Sequence, residues 1–219
     1  MPTHVRLGAL ASGGGTNVQS IIDRCADGRI TGEVAVVISD RPDAGVLERA
    51  RARGIPAVHI PVAKTGTDDW LAADRLIVET LQAAGVDLVC LAGYMRVIGP
   101  HLLAAFPHRI MNIHPALLPA FKGMHGPRDA LYYGTKVAGA TVHFADVEFD
   151  MGPIITQAVV PVREDDTEAT LAARILRHEH EIYAQAIQWF AEGRLRVEGR
   201  RVMVEGVETA ARVSADASG

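Results

Sequence analysis

Val5-Arg6-Leu7-Gly8-Ala9-Leu10-Ala11-Ser12-Gly13-Gly14-Gly15-Thr16-Asn17 decides the fold class. A short apolar run breaks into three consecutive glycines, and an amphipathic stripe of Val18, Ile21, Ile22 and Cys25 follows at once. Strand, glycine turn, helix is the opening of an α/β unit. The same alternation continues through the first half. Apolar runs at 34–39, 57–61, 88–91 and 110–113 are separated by helical stripes. One stripe is Val46, Leu47 and Ala50, stopped by Gly54; the next is Leu76, Ile77, Thr80, Leu81 and Ala84, stopped by Gly85. The expected architecture is α/β, a mostly parallel twisted sheet covered on both faces.

The second half reads differently. Residues 138–144 and 154–162 are rich in Val, Ile and Thr, and Glu148-Phe149-Asp150-Met151-Gly152-Pro153 lies between them. They read as a hairpin-like pair joined by a structured loop. A long helix is expected over 168–191, with Leu171, Ile175, Ile182, Ala186, Trp189 and Phe190 on one face and Glu192-Gly193 as its stop. Residues 194–198 and 201–205 suggest a small hairpin turned at Glu198-Gly199. Antiparallel strands are thus added in the C-terminal half. No repeat or linker divides the chain, so a single domain over 1–207 is expected, followed by a disordered tail, 208–219.

The bulk numbers fit one domain of 219 residues, 48% hydrophobic and 22% charged, with a net charge of −4. Such a balance carries no nucleic-acid or membrane footprint. The apolar stretch 7–11 has no basic n-region ahead of it, and it breaks at Ser12-Gly13-Gly14-Gly15, too short for a signal peptide. Cys25 and Cys90 lack metal-ligand spacing and suggest a reducing, cytoplasmic setting. His178 and His180 stand two apart on a helix and face different sides, so no metal is expected. His101 and His108 read as surface residues.

Ser12-Gly13-Gly14-Gly15-Thr16-Asn17 offers close backbone approach and the unpaired N–H groups of a helix start, capped by Thr16 or Asn17. A phosphate fits there. A ligand-free tight turn is the plain alternative. A dinucleotide fingerprint is a third: Gly13-x-Gly15 fits its start and Asp40 lies at the end of strand two, but Val18 stands where the third glycine belongs.

Met111-Asn112-Ile113-His114-Pro115-Ala116-Leu117-Leu118-Pro119 carries the chemistry. Asn112 and His114 are two apart and share a side of an extended chain. A carboxamide and an imidazole there can hold an oxyanion and move a proton. Pro115 and Pro119 stiffen the exit, at the carboxyl end of the sheet where open α/β folds place ligands. Asp150, held between Phe149 and Gly152-Pro153, is the candidate acid that raises the imidazole pKa and favours its charged form.

These motifs, with Ala92-Gly93-Tyr94-Met95-Arg96-Val97-Ile98, resemble in order and spacing the folate-dependent formyltransferases, over about residues 4 to 195. Gly123-Met124-His125 and the glycine loop point, within that family, to enzymes acting on glycinamide ribonucleotide. The resemblance implies a Rossmann-like formyltransferase fold and transfer of a formyl group from 10-formyltetrahydrofolate, as co-substrate, to the ribonucleotide amine in purine synthesis. It implies Asn112, His114 and Asp150 as catalytic residues. Gly15, Thr16, Asn17, Val18, Gln19 and Glu179 would bind the ribonucleotide. Met95, Arg96, Val97 and Ile98 would contact the folate, as would Asn112 and the loop Asp146, Val147, Glu148, Phe149 and Asp150. Where the family often carries an arginine for the folate's glutamate tail, this chain has Trp70. Lys64 could take over that task, or Trp70 could stack on the aminobenzoyl ring. His125 either contacts the phosphoribosyl group or solvates a loop.

The implied partners are small molecules, without nucleic acid or membrane, and the protein would be a monomer or homodimer. Two rivals remain. A formyltetrahydrofolate hydrolase would use a similar Asn–His–Asp set with water as nucleophile. A dinucleotide-binding oxidoreductase or nucleotide-binding module would rest on the partial glycine fingerprint. Methionyl-tRNA formylation fits less well, since no basic domain follows the helix ending near Ala191.

Overall fold

The structure is a computed structural model that describes residues 3–207 and 213–215. The chain divides into two compact units, Met1–Asn112 and Ile113–Gly219, and the division falls inside the strand Ile110–His114.

The first unit holds β1 (Val5–Leu10), β2 (Gly32–Ser39), β3 (Ala57–His59) and β4 (Leu88–Leu91), and runs into β5 (Ile110–His114). Their order is β3-β2-β1-β4-β5, and the pairs are parallel. Between them run α1 (Thr16–Ala26), α2 (Gly45–Ala52), α3 (Asp68–Ala83) and the short α4 (Pro100–Ala105). Leu7, Ala9 and Leu10 of β1 and Leu88, Val89 and Cys90 of β4 are buried, as strands covered on both faces require. The chain moves outward from β1 to β3 and then returns to β4. That reversal puts the loops after β1 and β4 side by side, at the point where open sheets take ligands.

Two helical stripes need adjustment. On α3, Leu76 is exposed, and the inward positions are Ala73, Asp74, Ile77 and Leu81. Asp74 turns inward because its carboxylate accepts the N–H groups of Gly99 at 3.1 Å and His101 at 2.8 Å, at the start of α4. On α1 the N-cap is Gly15 in the left-handed region, φ 75°, so neither Thr16 nor Asn17 caps it. A Cβ on Gly15 would sit 2.4 Å from Val46 Cγ2. Cys90 is buried, and the half-buried Cys25 thiol is raised to about 11 by burial and by Asp27 and Glu33.

The second unit is built on β6 (Val137–Phe144) and β7 (Ile154–Pro161), paired antiparallel. β8 (Leu195–Glu198) and β9 (Arg201–Val204) form the expected hairpin, in the order β6-β7-β9-β8. Two helices complete it, α5 (Gly126–Tyr133) and α6 (Glu168–Ala191), which packs on β6 and β7. Leu171, Ile175, Ile182, Ala186 and Trp189 face inward on α6, whereas Phe190 is only half-buried. Thr167 and Thr170 close a reciprocal capping box at its start. Behind that cap the buried Asp166 and Arg174 pair through two hydrogen bonds, 2.6 and 2.9 Å, which hold the Asp166 carboxyl well below its usual range.

Of the expected tail, Val213–Ala215 form β10 alongside β7, and the rest lies outside the described residues. No helix among the described residues is long and apolar enough to cross a membrane.

Candidate active site

In the first unit the two loops at the strand reversal are tied to each other. Ser12 N–H donates to the Gly93 carbonyl at 3.0 Å, and Ser12 Oγ accepts Met95 N–H at 2.8 Å. The glycine loop is also pinned to α2. Gly13 O accepts Val46 N–H at 3.1 Å, and Gly14 O accepts Arg49 Nε at 2.7 Å. Gly13, Gly14 and Thr16 are exposed and Asn17 is buried. Two of the expected ribonucleotide residues offer less than the sequence suggests. The Val18 side chain belongs to the core. Gln19 spends its N–H on Gly15 O and its side-chain amide on Asp23.

The segment after β4 presents Met95, Arg96 and Val97 to solvent, with Ile98 half-buried. Trp70 braces it by donating its indole N–H to Val97 O at 3.2 Å. Trp70, Tyr94, Val97 and Ile98 help line a small cavity of about 10 Å³, room for about one water. Trp70 therefore helps to hold this segment. Asp40, the acid of the dinucleotide reading, has a side chain only 2% exposed and is bonded to Arg96 Nε at 2.7 Å. It is not offered to a ribose. Lys64, His101 and His125 are exposed.

The expected catalytic residues Asn112 and His114 lie on β5. Asn112 is half-buried and His114 is buried, two apart on β5 and so on one side of it. In the second unit His114 Nδ1 stands 3.4 Å from Asp150 Oδ2, and its Nε2 stands 2.9 Å from the Phe121 carbonyl. The sequence-predicted pair His114 and Asp150 is thus in contact. Asp150 reaches inward from a left-handed backbone conformation, φ 56°, which aspartate tolerates better than most residues. Its Oδ2 accepts Gly123 N–H at 3.0 Å. Gly152 lets the turn close, since a Cβ there would lie 1.7 Å from the Phe144 carbonyl oxygen. Val147 and Phe149 of the same loop are exposed, as are Asp146 and Glu148.

A third group joins this pair. His143, buried on β6, places Nε2 3.7 Å from Asp150 Oδ1 and Nδ1 2.8 Å from the Phe144 carbonyl. The sequence reading passed over it. The available signal was a histidine at an inward position of an otherwise apolar strand, two residues after Thr141. Thr141 itself fixes the exit from His114. Its hydroxyl donates to Ala116 O at 2.7 Å and accepts Leu118 N–H at 3.1 Å and Gln157 Nε2 at 3.0 Å. The Leu118–Pro119 peptide in this segment is cis.

The charge state of His114 differs from the sequence expectation. Burial lowers the imidazole below its usual value and outweighs the Phe121 carbonyl and Asp150 carboxylate, which pull it up; His143 lowers it further. The neutral form of the ring is therefore favoured at pH 7. Burial presses the Asp150 carboxyl upward, but His143, the Gly123 N–H and the charge that His114 carries at acid pH together hold it below its usual range. It stays a carboxylate. Because that carboxylate raises His114, Asp150→Asn is expected to move the His114 titration midpoint still lower, as followed by imidazole NMR. An unchanged midpoint would show that Asp150 does not govern the ring.

Glu179 lies on α6, buried, with the half-buried His178 and His180 as its neighbours. Among the described residues no group of three or more His, Cys, Asp or Glu side chains is placed to hold a metal ion.

The formyl transferase family model matches residues 5–187. Phosphoribosylglycinamide formyltransferase of Escherichia coli K12 is 42% identical over 197 residues, 90% of this chain and 92% of the relative. Among solved structures, glycinamide ribonucleotide transformylase 1 of Symbiobacterium toebii is 57% identical with a TM-score of 0.88, over 92% of this chain and 94% of that one. Formyltetrahydrofolate deformylase of Burkholderia mallei is 28% identical with a TM-score of 0.83, over 92% of this chain and 70% of that one.

Proposed function

The chain belongs to the formyl transferase family, and on that premise we propose that it transfers the formyl group of 10-formyltetrahydrofolate to the amine of glycinamide ribonucleotide, giving formylglycinamide ribonucleotide in purine biosynthesis. The observation that carries the reading is the buried His114–Asp150 pair at the end of β5, two residues beyond Asn112.

The chemistry needs three things. The amine attacks the formyl carbon, whose oxygen becomes an anion. A proton must leave the new ammonium, and a proton must reach the folate nitrogen before the carbon–nitrogen bond breaks. The Asn112 carboxamide donates to the oxyanion. His114 takes the ammonium proton and passes it to the leaving nitrogen, so no net proton is consumed. A neutral ring suits the first half of that relay, and its lowered proton affinity suits the second. Protonation also supplies N–H groups for both Asp150 and Phe121, where the neutral ring has one donor for two acceptors. Asp150 stabilises the transient imidazolium and fixes its orientation.

On the family reading, the backbone of Gly15 and Thr16, with Asn17, takes the phosphate of the ribonucleotide, and Glu179 takes its ribose. Residues 95–98 and 146–150 take the folate. The exposure of Met95, Arg96 and Val97 on a backbone held at both ends, and of Asp146, Val147, Glu148 and Phe149, supports that assignment. A cytoplasmic setting fits the two free cysteines, Cys25 and Cys90.

Tetrahydrofolate release tests the reading. Purified protein mixed with 10-formyltetrahydrofolate should release it only when glycinamide ribonucleotide is added. Release at the same rate without the ribonucleotide would instead establish the hydrolase, the activity named for the similar Burkholderia mallei deformylase.

A further inference from the structure

The sequence singles out Asp40 at the end of β2, and the transfer chemistry leaves it without a task. Its environment is unusual for an aspartate. The side chain is 2% exposed, yet one oxygen, Oδ1, is buried without a hydrogen-bond partner among the described residues. Such an atom is costly to keep. The other oxygen, Oδ2, accepts a short bond, 2.7 Å, from Arg96 Nε.

The form of that bond matters. An arginine and a carboxylate most often meet fork to fork, two N–H groups on two oxygens. Here the guanidinium is held by Nε, and no bond from either terminal nitrogen to Asp40 is made. The Arg96 side chain remains 44% exposed, between the exposed Met95 and Val97. The backbone around it is fixed on both sides, by Ser12 Oγ at Met95 N and by Trp70 Nε1 at Val97 O. A plain surface salt bridge would contribute little and would leave a long side chain free to wander. A buried carboxylate gripping only the inner nitrogen instead fixes the direction of the fork and turns its outer edge toward solvent.

We propose that Asp40 is a positioning residue for folate binding: it anchors Arg96 through Nε so that the two terminal nitrogens face a planar acceptor, a carboxylate or amide carbonyl, on the formyl carrier. The inference rests on the assignment of residues 95–98 to the folate side. Asp40 does not touch the carrier and takes no part in the proton relay.

Steady-state kinetics on Asp40→Asn, Arg96→Met and the double variant test whether Asp40 positions Arg96 or serves the fold alone. Asp40→Asn removes the charge with little change of shape. It should raise KM for 10-formyltetrahydrofolate on the order of tenfold, the size of one charge-assisted hydrogen bond. The ribonucleotide KM and kcat should stay within about twofold, a split that general loosening of the fold would not give. Arg96→Met should raise the same KM, and the double variant should be no worse than the worse single one. If Asp40→Asn is insoluble, Asp40→Glu keeps the charge, and retention of most folate affinity is expected. A wild-type folate KM in Asp40→Asn beside an impaired Arg96→Met would overturn the inference alone. A wild-type folate KM in Arg96→Met would overturn the folate assignment of the segment. Equal rises in both KM values for Asp40→Asn would reduce Asp40 to a structural residue.

Discussion

His114→Ala is expected to lower kcat by about 10²–10⁴, the range for loss of a positioned acid–base group. The size follows from the environment. His114 is 3% exposed and has Asp150 on one nitrogen and the Phe121 carbonyl on the other. No other described imidazole occupies that strand end; His143 lies behind Asp150 and spends Nδ1 on Phe144 O. Without His114 the proton must travel through water alone. Binding of both substrates should survive, so KM values should move much less than kcat. Rapid-quench turnover at saturating substrates is the measurement, with circular dichroism as a check that the fold as a whole persists. Turnover within about tenfold of wild type would remove His114 from the relay.

Asn112→Ala is expected to cost about 10²–10³ in kcat, the usual loss for one oxyanion donor. The strand should tolerate the change, because Asn112 pairs with Leu91 through the backbone. Its side chain is half-buried, so truncation leaves no large void. The effect should appear in kcat and in kcat/KM equally, the signature of an interaction made only in the transition state. Asn112→Asp should be at least as damaging, since it sets a negative charge against a developing one. A rise in the folate KM at unchanged kcat would convert Asn112 from a catalytic group into a binding one.

How much of this was legible beforehand depended on whether a feature was local. The parallel strands were visible because buried strands are continuous apolar runs, and residues 5–10 and 88–91 appear with the expected bounds. The helix 168–191 was equally clear, for its stripe and its stop are both local signals. α4 and α5 were not read. α4 is six residues long and takes its N-terminal partner from Asp74 on another helix. α5 begins with Gly126-Pro127, which look like a turn in isolation. The same limit applies within the site. Asn112, His114 and Asp150 could be named from spacing and chemistry. The neutrality of His114 could not, because it is set by burial against several elements at once. His143 was hidden for a similar reason: its meaning lies in the approach to Asp150, across a turn that only a left-handed aspartate and Gly152 make possible.

The bond between Trp70 and Val97 has an optical corollary. The chain has two tryptophans, and Trp189 is 3% exposed inside α6. Trp70, half-buried, hydrogen-bonds the segment assigned to the folate. A pterin arriving there would sit within range to accept excitation from one indole, so the intrinsic fluorescence of Trp70 offers a titration signal for the carrier that needs no added dye.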